Sequence, residues 1–511
     1  MTVPGKLDIS GAGLLGMPLT LFGHTSGMAW THTISTASRY VPMALKLAPG
    51  DPTSYVIDGH RYRMKRRTIT VPARTANGSV TRTVWTTRYG PVLTGIQGID
   101  LPWTKDTAYA LFDPNAASIR LMNSWFDIER ARSVSGVRDA LVRDQGIPSS
   151  NTLAVDGTGR AFYADVSIVP GVTDALAKRC NTRLGRTTWS ASRIPVLDAS
   201  RAACAPRTGD GAVQPGPFGP VRQPRLTRRD YVTNSNDSFW LTNPAQPLTG
   251  YPRMLGDTGT ERSLRTRAGL VAVRQRLDGT DGLPGTGFDR ALLQRVGLSD
   301  RSLAGELAVR DAARMCRALP GGKAPSSDGP VDVSAACGVP ADWDRRVDLG
   351  SKGAALFTRF WAEAGKAGPW KVPFDARDPV HTPNTLATGK AAVRKALGDA
   401  MAAMRAAGLP LDAAPRDTQY AERGGRRIPV PGGPGAAGVL NALGGTARSD
   451  GTTAVDFGSS YIQAVGPAPG RCADARTVLT YSQSANPASP HYADQTRWFS
   501  GKRLRDDHAC E

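Results

Sequence analysis

Two short segments contain residue types that are typical of catalytic or ligand-binding loops. Residues Gly433 to Gly438 read GPGAAG and match the GxGxxG spacing of nucleotide-binding loops. They follow a proline-rich turn instead of a strand that enters a helix, so the pattern predicts an ordinary loop. The second segment, Asn234 to Ser238, reads NSNDS. Its middle residue, Asn236, has a side-chain NH₂ that donates hydrogen bonds without carrying charge, although this composition alone is more typical of a turn.

Signatures of several common hydrolases are absent from the sequence, which contains no GxSxG, HExxH or P-loop motif. These motifs place the nucleophile of many serine hydrolases, the zinc ligands of many peptidases and the phosphate-binding loop of nucleotidases. The sequence therefore lacks the motifs that are typical of those three classes of enzyme.

The chain of 511 residues has a formal net charge of +20 at pH 7. Basic residues cluster at Arg61 to Arg67, which lead into alternating residues, a turn at Asn77-Gly78 and a second alternating run. This pattern predicts a two-stranded ribbon with one solvated, basic face. No zinc-finger, helix-turn-helix or RNA-binding signature accompanies it, so we do not expect nucleic acid as a partner. The charge favours a solvated face or attraction to anionic cell surfaces.

The six cysteines fall into pairs that are close in sequence: Cys180 with Cys204, Cys316 with Cys337, and Cys472 with Cys510. The even count favours three disulfides and an oxidising compartment, while six unrelated buried thiols remain the alternative. No stretch approaches the ~20 apolar residues that cross a bilayer. Met1 is followed by Thr-Val-Pro-Gly and not by a secretion signal, and we expect the front of the gene product to be missing.

Hydrophobic periodicity separates strand-rich ends from a helical middle. We predict strands from Leu7 to about Tyr163, a loop-rich stretch from Ala177 to Arg229, and strands again at Thr453 to Val465 and Arg476 to Ser482. The predicted helices are Ile128 to Arg143, Ser263 to Leu277 and most of the region from Asp300 to Leu409. This order favours a sandwich with an inserted helical lobe, divided at residues 1–299, 300–425 and 426–511.

Five blocks of the sequence form a further pattern: LDISGAGLLGMPLTLFGH (Leu7 to His24), AWTHT (Ala29 to Thr33), TRYGPVLTG (Thr87 to Gly95), NSNDS (Asn234 to Ser238) and YSQSANPASPHYADQTRWFS (Tyr481 to Ser500). In this order they resemble the penicillin acylase family, and the likeness covers nearly the whole chain. The subgroup looks most similar to acylases that remove long acyl chains from aculeacin-type lipopeptides or acyl-homoserine lactones.

The resemblance implies an α+β fold: the four-layer αββα sandwich of N-terminal-nucleophile hydrolases, lacking its first strands and carrying the mostly helical lobe. It also implies a nucleophile that is an N-terminal serine, exposed when a precursor cuts itself. Here the first residue is Met1. We therefore expect an N-terminally truncated catalytic chain that is inactive alone, whose partners are the missing segment and the α chain of the same precursor.

The family's oxyanion donors, a backbone N–H after the tryptophan strand and an asparagine side chain, correspond to Ile34 and Asn236. Arg265 matches an arginine that positions this asparagine and the substrate, and Arg267 is close enough to be confused with it. Phe22 and His32 match positions that line the acyl-binding cavity. Without the resemblance, the two arginines would be a solvent-facing pair at the start of a helix.

The implied reaction is removal of a fatty or aryl acyl group from a lipopeptide, an acyl-homoserine lactone or a β-lactam. A truncated remnant or an acyl-binding module that holds its ligand without cutting it is the alternative. We expect no cofactor and no metal, since the stretch Ala37 to Val41, where some relatives bind calcium nearby, has no carboxylate. The full-length protein is expected to be secreted or periplasmic.

Overall fold

The computed structural model describes residues 1–73, 78–467 and 473–507. Helices make up 30% and strands 27% of it, which confirms a mixed α+β fold. The predicted turn at Asn77-Gly78 lies partly outside the described residues, and so does the predicted pair Cys472 and Cys510. The division at residues 299 and 425 stays a prediction.

The α-helices are as follows in chain order: α1 Leu121–Glu129, α2 Val134–Asp144, α3 Asp174–Cys180, α4 Arg183–Ser192, α5 Leu264–Leu277, α6 Arg290–Gly297, α7 Leu303–Arg317, α8 Val339–Asp342, α9 Ala354–Ala364, α10 Ala391–Ala406, α11 Pro415–Thr418 and α12 Asp494–Ser500.

The strands are as follows in chain order: β1 Thr2–Val3, β2 Leu7–Asp8, β3 Ser10–Ala12, β4 Phe22–His24, β5 Met28–Ile34, β6 Val41–Ala48, β7 Asp51–Ile57, β8 His60–Arg63, β9 Lys65–Pro72, β10 Ser79–Thr87, β11 Gly90–Leu93, β12 Gly95–Ile96, β13 Ile99–Asp100, β14 Thr107–Phe112, β15 Ser150–Asp156, β16 Arg160–Ala164, β17 Leu197–Asp198, β18 Arg225–Arg228, β19 Lys323–Ala324, β20 Val331–Asp332, β21 Trp370–Val372, β22 Asn384–Leu386, β23 Gln419–Arg423, β24 Arg426–Pro429, β25 Leu443–Ala447, β26 Thr453–Gly458, β27 Tyr461–Gly466, β28 Asp474–Leu479 and β29 Arg505–Asp506.

The chain divides into two compact units, the first made of residues 1–30 and 259–511 and the second of residues 31–258. In the second unit a large sheet has the order β8-β7-β6-β14-β11-β10-β9, with β17 parallel to β6. A smaller group in the same unit pairs β15 with β16 and β16 with β18. In the first unit β3 pairs with β4, which pairs with the start of β5, and separate sheets have the orders β24-β23-β26-β25 and β27-β28-β29.

The helical part of the first unit is built on amphipathic spacing. Helix α10 buries Val393, Leu397, Met401 and Met404, at intervals of three or four residues that place them on one face. These side chains join an aromatic core from α9 whose members include Phe357. The region from Asp300 to Leu409, predicted to be mostly helical, contains the long helices α7 and α10. The helix predicted from Ser263 is confirmed as α5, with Ser263 as its N-cap.

The single helix predicted from Ile128 to Arg143 is wrong, because the structure has α1 and α2 there. The break lies at Ser133, whose backbone is extended and whose hydroxyl accepts a hydrogen bond from the Gly136 N–H. A serine N-cap of this kind starts a new helix.

The stretch predicted to be loop-rich after Ala177 also contains helix α4. Its N-cap is Thr182, whose hydroxyl accepts from the Gly185 N–H.

The predicted two-stranded ribbon is formed by β9 and β10, which pair from Lys65↔Thr86 to Pro72↔Ser79. The prediction of a single solvated face is wrong for β9, because every residue of this strand is exposed and both of its faces are therefore solvated.

Two predicted disulfides are confirmed, Cys180–Cys204 and Cys316–Cys337, with Cα–Cα distances of 5.4 and 5.3 Å. Among the described residues, no helix is both long and apolar enough to cross a bilayer.

Candidate active site

The end of strand β5 is tied to the NSNDS loop by neutral side chains. Thr33 Oγ1 donates to Asn234 Oδ1 at 2.7 Å. Asn151 Nδ2 lies 3.0 Å from Thr33 Oγ1, 3.3 Å from Asn234 Oδ1 and 3.4 Å from the Ile34 carbonyl oxygen. The Tyr163 hydroxyl donates to Asn151 Oδ1 at 2.6 Å, and burial raises the Tyr163 pKa, which keeps this hydroxyl protonated. We call Thr33, Asn151, Asn234 and Asn236 the strand-end network.

Asn236 is held by its backbone. Its N–H donates to Asn234 Oδ1 at 2.9 Å, and its φ of 59° lies in the left-handed region. Asparagine enters this region more readily than most residues. Asn234 Nδ2 donates to the Asp237 carbonyl at 2.9 Å, which closes the loop from the other side. The loop therefore fixes the backbone of an exposed asparagine, while the carboxamide of Asn234 serves as its brace.

Ile34, the other predicted oxyanion position, ends β5 with a side chain that is 71% exposed. The next residue, Ser35, anchors the chain: its hydroxyl donates to Asp165 Oδ2 at 2.6 Å. Burial raises the pKa of Asp165, and the charge of nearby Arg39 opposes that shift. The strand end that presents Ile34 is thus fixed on both sides, by Asn151 and by Ser35.

The surroundings of residues 37–41 do not fit a calcium site. Arg39 Nη1 donates to Ser167 Oγ at 2.7 Å, and a cation already faces the buried Asp165. In the described part of the chain, no group of three or more His, Cys, Asp or Glu side chains could hold a metal ion.

His32 is buried and fully hydrogen-bonded. Trp125 Nε1 donates to His32 Nε2 at 2.9 Å, so this nitrogen carries no hydrogen. The protonated Nδ1 faces the Asn151 carbonyl at 3.3 Å and Thr152 Oγ1 at 3.2 Å. Burial lowers the His32 pKa to about 4. The imidazole is therefore neutral near pH 7, and its assignment to the acyl cavity stays a prediction.

The remaining predicted residues lie in the first unit. Phe22 begins β4, opposite Ala12, and Arg265 is a half-buried residue in the first turn of α5. Arg267 is 1% exposed and donates from Nε to the Val380 carbonyl at 2.8 Å and from Nη1 to the Pro383 carbonyl at 2.9 Å. Burial lowers its pKa. A solvent-facing pair is therefore wrong: Arg267 is a structural side chain, and Arg265 is the accessible one.

The GPGAAG segment is a loop, as predicted, with a short 3-10 turn at Gly435–Ala437. It packs closely on the start of α5. A Cβ at Gly438 would lie 2.7 Å from Leu303 Cβ and 3.1 Å from the Leu264 carbonyl oxygen, and one at Gly435 would lie 3.5 Å from Arg265 Cδ. These glycines allow close approach of the loop to the starts of helices α5 and α7.

Of the predicted site residues, the structure brings Ile34 and Asn236 into one hydrogen-bonded network. The sequence reading missed the supporting residues Thr33, Asn151 and Asn234. The Asn-x-Asn spacing was the signal for Asn234, because an asparagine that accepts from the N–H two residues later forms an Asx turn. Asn151 gave no signal, since it lies more than 80 residues from the loop.

Comparison with known proteins places the chain in a family. A family model described as Penicillin amidase matches residues 1–509. The chain is 44% identical to aculeacin-A acylase of Actinoplanes utahensis, over 98% of this chain and 63% of that protein. It is 37% identical to the acyl-homoserine lactone acylase PvdQ of Pseudomonas putida, over 99% of this chain and 63% of that protein.

The chain thus spans less than two thirds of the length of these relatives. A thermostable penicillin G acylase from Alcaligenes faecalis matches in structure with a TM-score of 0.60 at 14% identity, covering 99% of this chain and 89% of that one. This likeness confirms the predicted N-terminal-nucleophile hydrolase fold. The family match over almost the whole chain confirms the resemblance drawn from the five blocks, and the chain belongs to the penicillin amidase family.

Proposed function

We propose that the protein takes part in hydrolysis of an amide bond that joins a fatty or aryl acyl group to an amine. The observation that carries this proposal is the strand-end network. It fixes the backbone of Asn236 in a left-handed conformation and ties its loop to the strand end at Ile34. Neutral donors held in a fixed geometry are what a reacting carbonyl requires.

In this proposal the Ile34 N–H and the Asn236 side-chain amide stabilise the negative charge that develops on the carbonyl oxygen. Each such donor lowers the barrier by about 3 to 4 kcal/mol. By the resemblance, Arg265 corresponds to the family's arginine that positions the asparagine and the substrate, and Phe22 and His32 correspond to positions that line its acyl-binding cavity. A neutral His32 suits an apolar chain better than an imidazolium would.

The nucleophile in this proposal is an N-terminal serine supplied by a segment of the same precursor that is not among these 511 residues. Its α-amino group, with an unperturbed pKa of about 7.7 to 8, acts as the base. The longer relatives support further segments as partners. Their names make an aculeacin-type lipopeptide or an acyl-homoserine lactone the first substrates to test. The two disulfides support an oxidising, secreted or periplasmic location.

The test uses the mature protein from its own source. Its N-terminal sequence is determined, and it is incubated with an aculeacin-type lipopeptide, an acyl-homoserine lactone and a penicillin, with free acid and amine quantified by mass spectrometry. We expect equal amounts of acid and amine from at least one substrate, and a chain that begins with serine. Tight binding without products would favour an acyl-binding module. Turnover by a chain that begins at Met1 would contradict the proposed nucleophile.

A further inference from the structure

The first unit contains a cavity of about 610 Å³ in which most of the charged lining residues are cationic. This volume is within the range of roughly 300 to 1,000 Å³ that is usual for small-molecule sites. Six cationic side chains line it against two acidic ones, Asp281 and Asp348. The cations are Arg290, Arg295, Arg301, Arg346, Arg476 and Lys502. We call this space the cationic cavity.

Several of these cations are held in place by neighbours. Arg290, the first residue of α6, lies with Nε 3.0 Å from Asp474 Oδ1. Arg301 makes a two-pronged pair with Glu306, at 2.7 and 2.9 Å. A wall with its side chains fixed in this way loses less conformational entropy when a ligand binds.

The two lining carboxylates are already engaged. Asp281 Oδ2 is paired with Arg276 Nη1 at 3.1 Å, and Asp348 Oδ2 with Lys502 Nζ at 2.5 Å. Lys502 Nζ also lies 2.7 Å from Asp300 Oδ2. The acidic groups therefore do little to repel an anion from the cavity.

Two cations of the wall, Arg295 and Arg346, lack acidic partners among the described residues, and Arg476 has one at its Nε. Among the described residues, Arg295 forms no ion pair or hydrogen bond, and Arg346 donates from Nη1 only to a neutral acceptor, the Ser299 carbonyl, at 2.5 Å. Arg476 Nε lies 2.9 Å from Asp506 Oδ1 but is buried and not aligned for a hydrogen bond. The charges of Arg295 and Arg346 are thus not matched by a carboxylate of the described residues, and Arg346 is also held by the Ser299 carbonyl.

We propose that the cationic cavity binds a small ligand that carries two or more phosphate or carboxylate groups. A guanidinium presents parallel N–H donors that match the oxygens of these groups. The volume exceeds what one small oxyanion fills, and separate arginines with unmatched charge favour a ligand with more than one anionic group. This site goes beyond the proposed amide hydrolysis and does not depend on it.

Isothermal titration calorimetry of the purified mature protein tests the proposal, with inorganic pyrophosphate and citrate as probes in 0.15 M NaCl. The variants are Arg346→Gln and Arg295→Gln. Arg377→Gln is the matched control, because Arg377 is an exposed arginine of the same unit that is paired with Asp375 and does not line the cavity. We expect the Kd of the bound probe to rise roughly ten-fold in Arg346→Gln, as for loss of one charge-assisted contact, and to stay within about two-fold in the control.

Each outcome decides the proposal. Binding of pyrophosphate alone would show that the site takes phosphate groups, and binding of citrate alone would show that it takes carboxylates. If both probes bind and compete with each other, they share one site. No binding of either probe, or equal weakening by the control variant, would overturn it. If Arg346→Gln fails to fold, Arg346→Lys replaces it, because lysine keeps the positive charge but lacks the parallel N–H donors of the guanidinium. An unchanged Kd in both Arg346→Lys and Arg295→Gln would also overturn the proposal.

Discussion

The strand-end network and the cationic cavity both hold polar side chains, but by opposite means. At the end of β5 the groups are neutral, and Asn234 Oδ1 alone accepts from three donors. Around the cavity the groups are charged, and Arg295 and Arg346 have no carboxylate partner among the described residues. Neutral hydrogen bonds fix geometry and respond little to salt, whereas unmatched charge attracts a ligand and is screened by salt. The first arrangement suits catalysis and the second suits binding.

The largest expected effect on activity is that of replacing Asn236 in the strand-end network. In the mature protein, Asn236→Ala removes one proposed oxyanion donor, and we expect kcat to fall by about 10²- to 10³-fold. Because the brace is Asn234, the main cost to stability is that of alanine at a φ of 59°, and the free energy of unfolding should fall by only about 1 kcal/mol. Steady-state kinetics and chemical denaturation measure the two quantities.

The matched control is Asn123→Ala, at an exposed position of α1. Its kcat should equal that of the parent. If Asn236→Ala raised KM and left kcat unchanged, the side chain would bind substrate and transition state equally, and the oxyanion role would be wrong.

Two buried groups that contact these regions, His32 beside Asn151 and Asp300 beside Lys502, should respond to acid with opposite sign. The pKa of histidine is near 6.5 in an unfolded chain, whereas burial lowers the pKa of folded His32 to about 4. The unfolded state therefore binds more protons in this window, and the His32 contribution destabilises the fold as pH falls through it. Burial raises the pKa of Asp300, the buried partner of Lys502, to about 6. Folded Asp300 takes up its proton first, so its contribution stabilises the fold as pH falls from about 6 to about 4.

Denaturation of the parent, His32→Gln and Asp300→Asn from pH 7 to pH 4 separates the two contributions. Each replacement removes one titration, with a change on the order of 3 kcal/mol between the ends of the range. Asparagine also suits the φ of 52° at position 300. Two variants with the same pH dependence as the parent would show that neither group titrates as described.

Replacing Asn234, the brace of the strand-end network, should change stability by less than the pH effects above. Asn234→Ala takes away the acceptor of Thr33, Asn151 and the Asn236 N–H, and we expect the free energy of unfolding to fall by about 2 kcal/mol. Water reaches this half-buried position, which limits the cost. Asn234→Asp keeps the acceptor oxygen and should restore more than half of the loss. Equal losses in both variants would show that the Nδ2 contact with Asp237 is the important one.

The sequence predicted what depends on local pattern. The spacing of apolar residues predicted the helical region that contains α7 and α10, and the quoted blocks predicted the family, whereas the oxyanion roles of Ile34 and Asn236 stay predictions. It failed where one polar residue determines a helix boundary: the Ser133 N-cap divides the predicted helix in two, and the Thr182 N-cap precedes helix α4. It could not identify Asn151 or the cationic cavity, because both depend on contacts between residues far apart in the chain.

The smallest expected effect concerns the unmatched charge of Arg295 in the cationic cavity. Arg295→Gln removes a cation that has no acidic partner, so at 0.05 M NaCl it should stabilise the fold slightly, by less than about 0.5 kcal/mol. The gain should vanish at 0.5 M NaCl, because the screening length then shrinks to a few ångström. The loss in Asn234→Ala should be the same at both salt concentrations, since no charge is removed. A salt-independent effect of Arg295→Gln would mean that the side chain acts through packing, and the unmatched charge of the cavity would then be smaller than its residues imply.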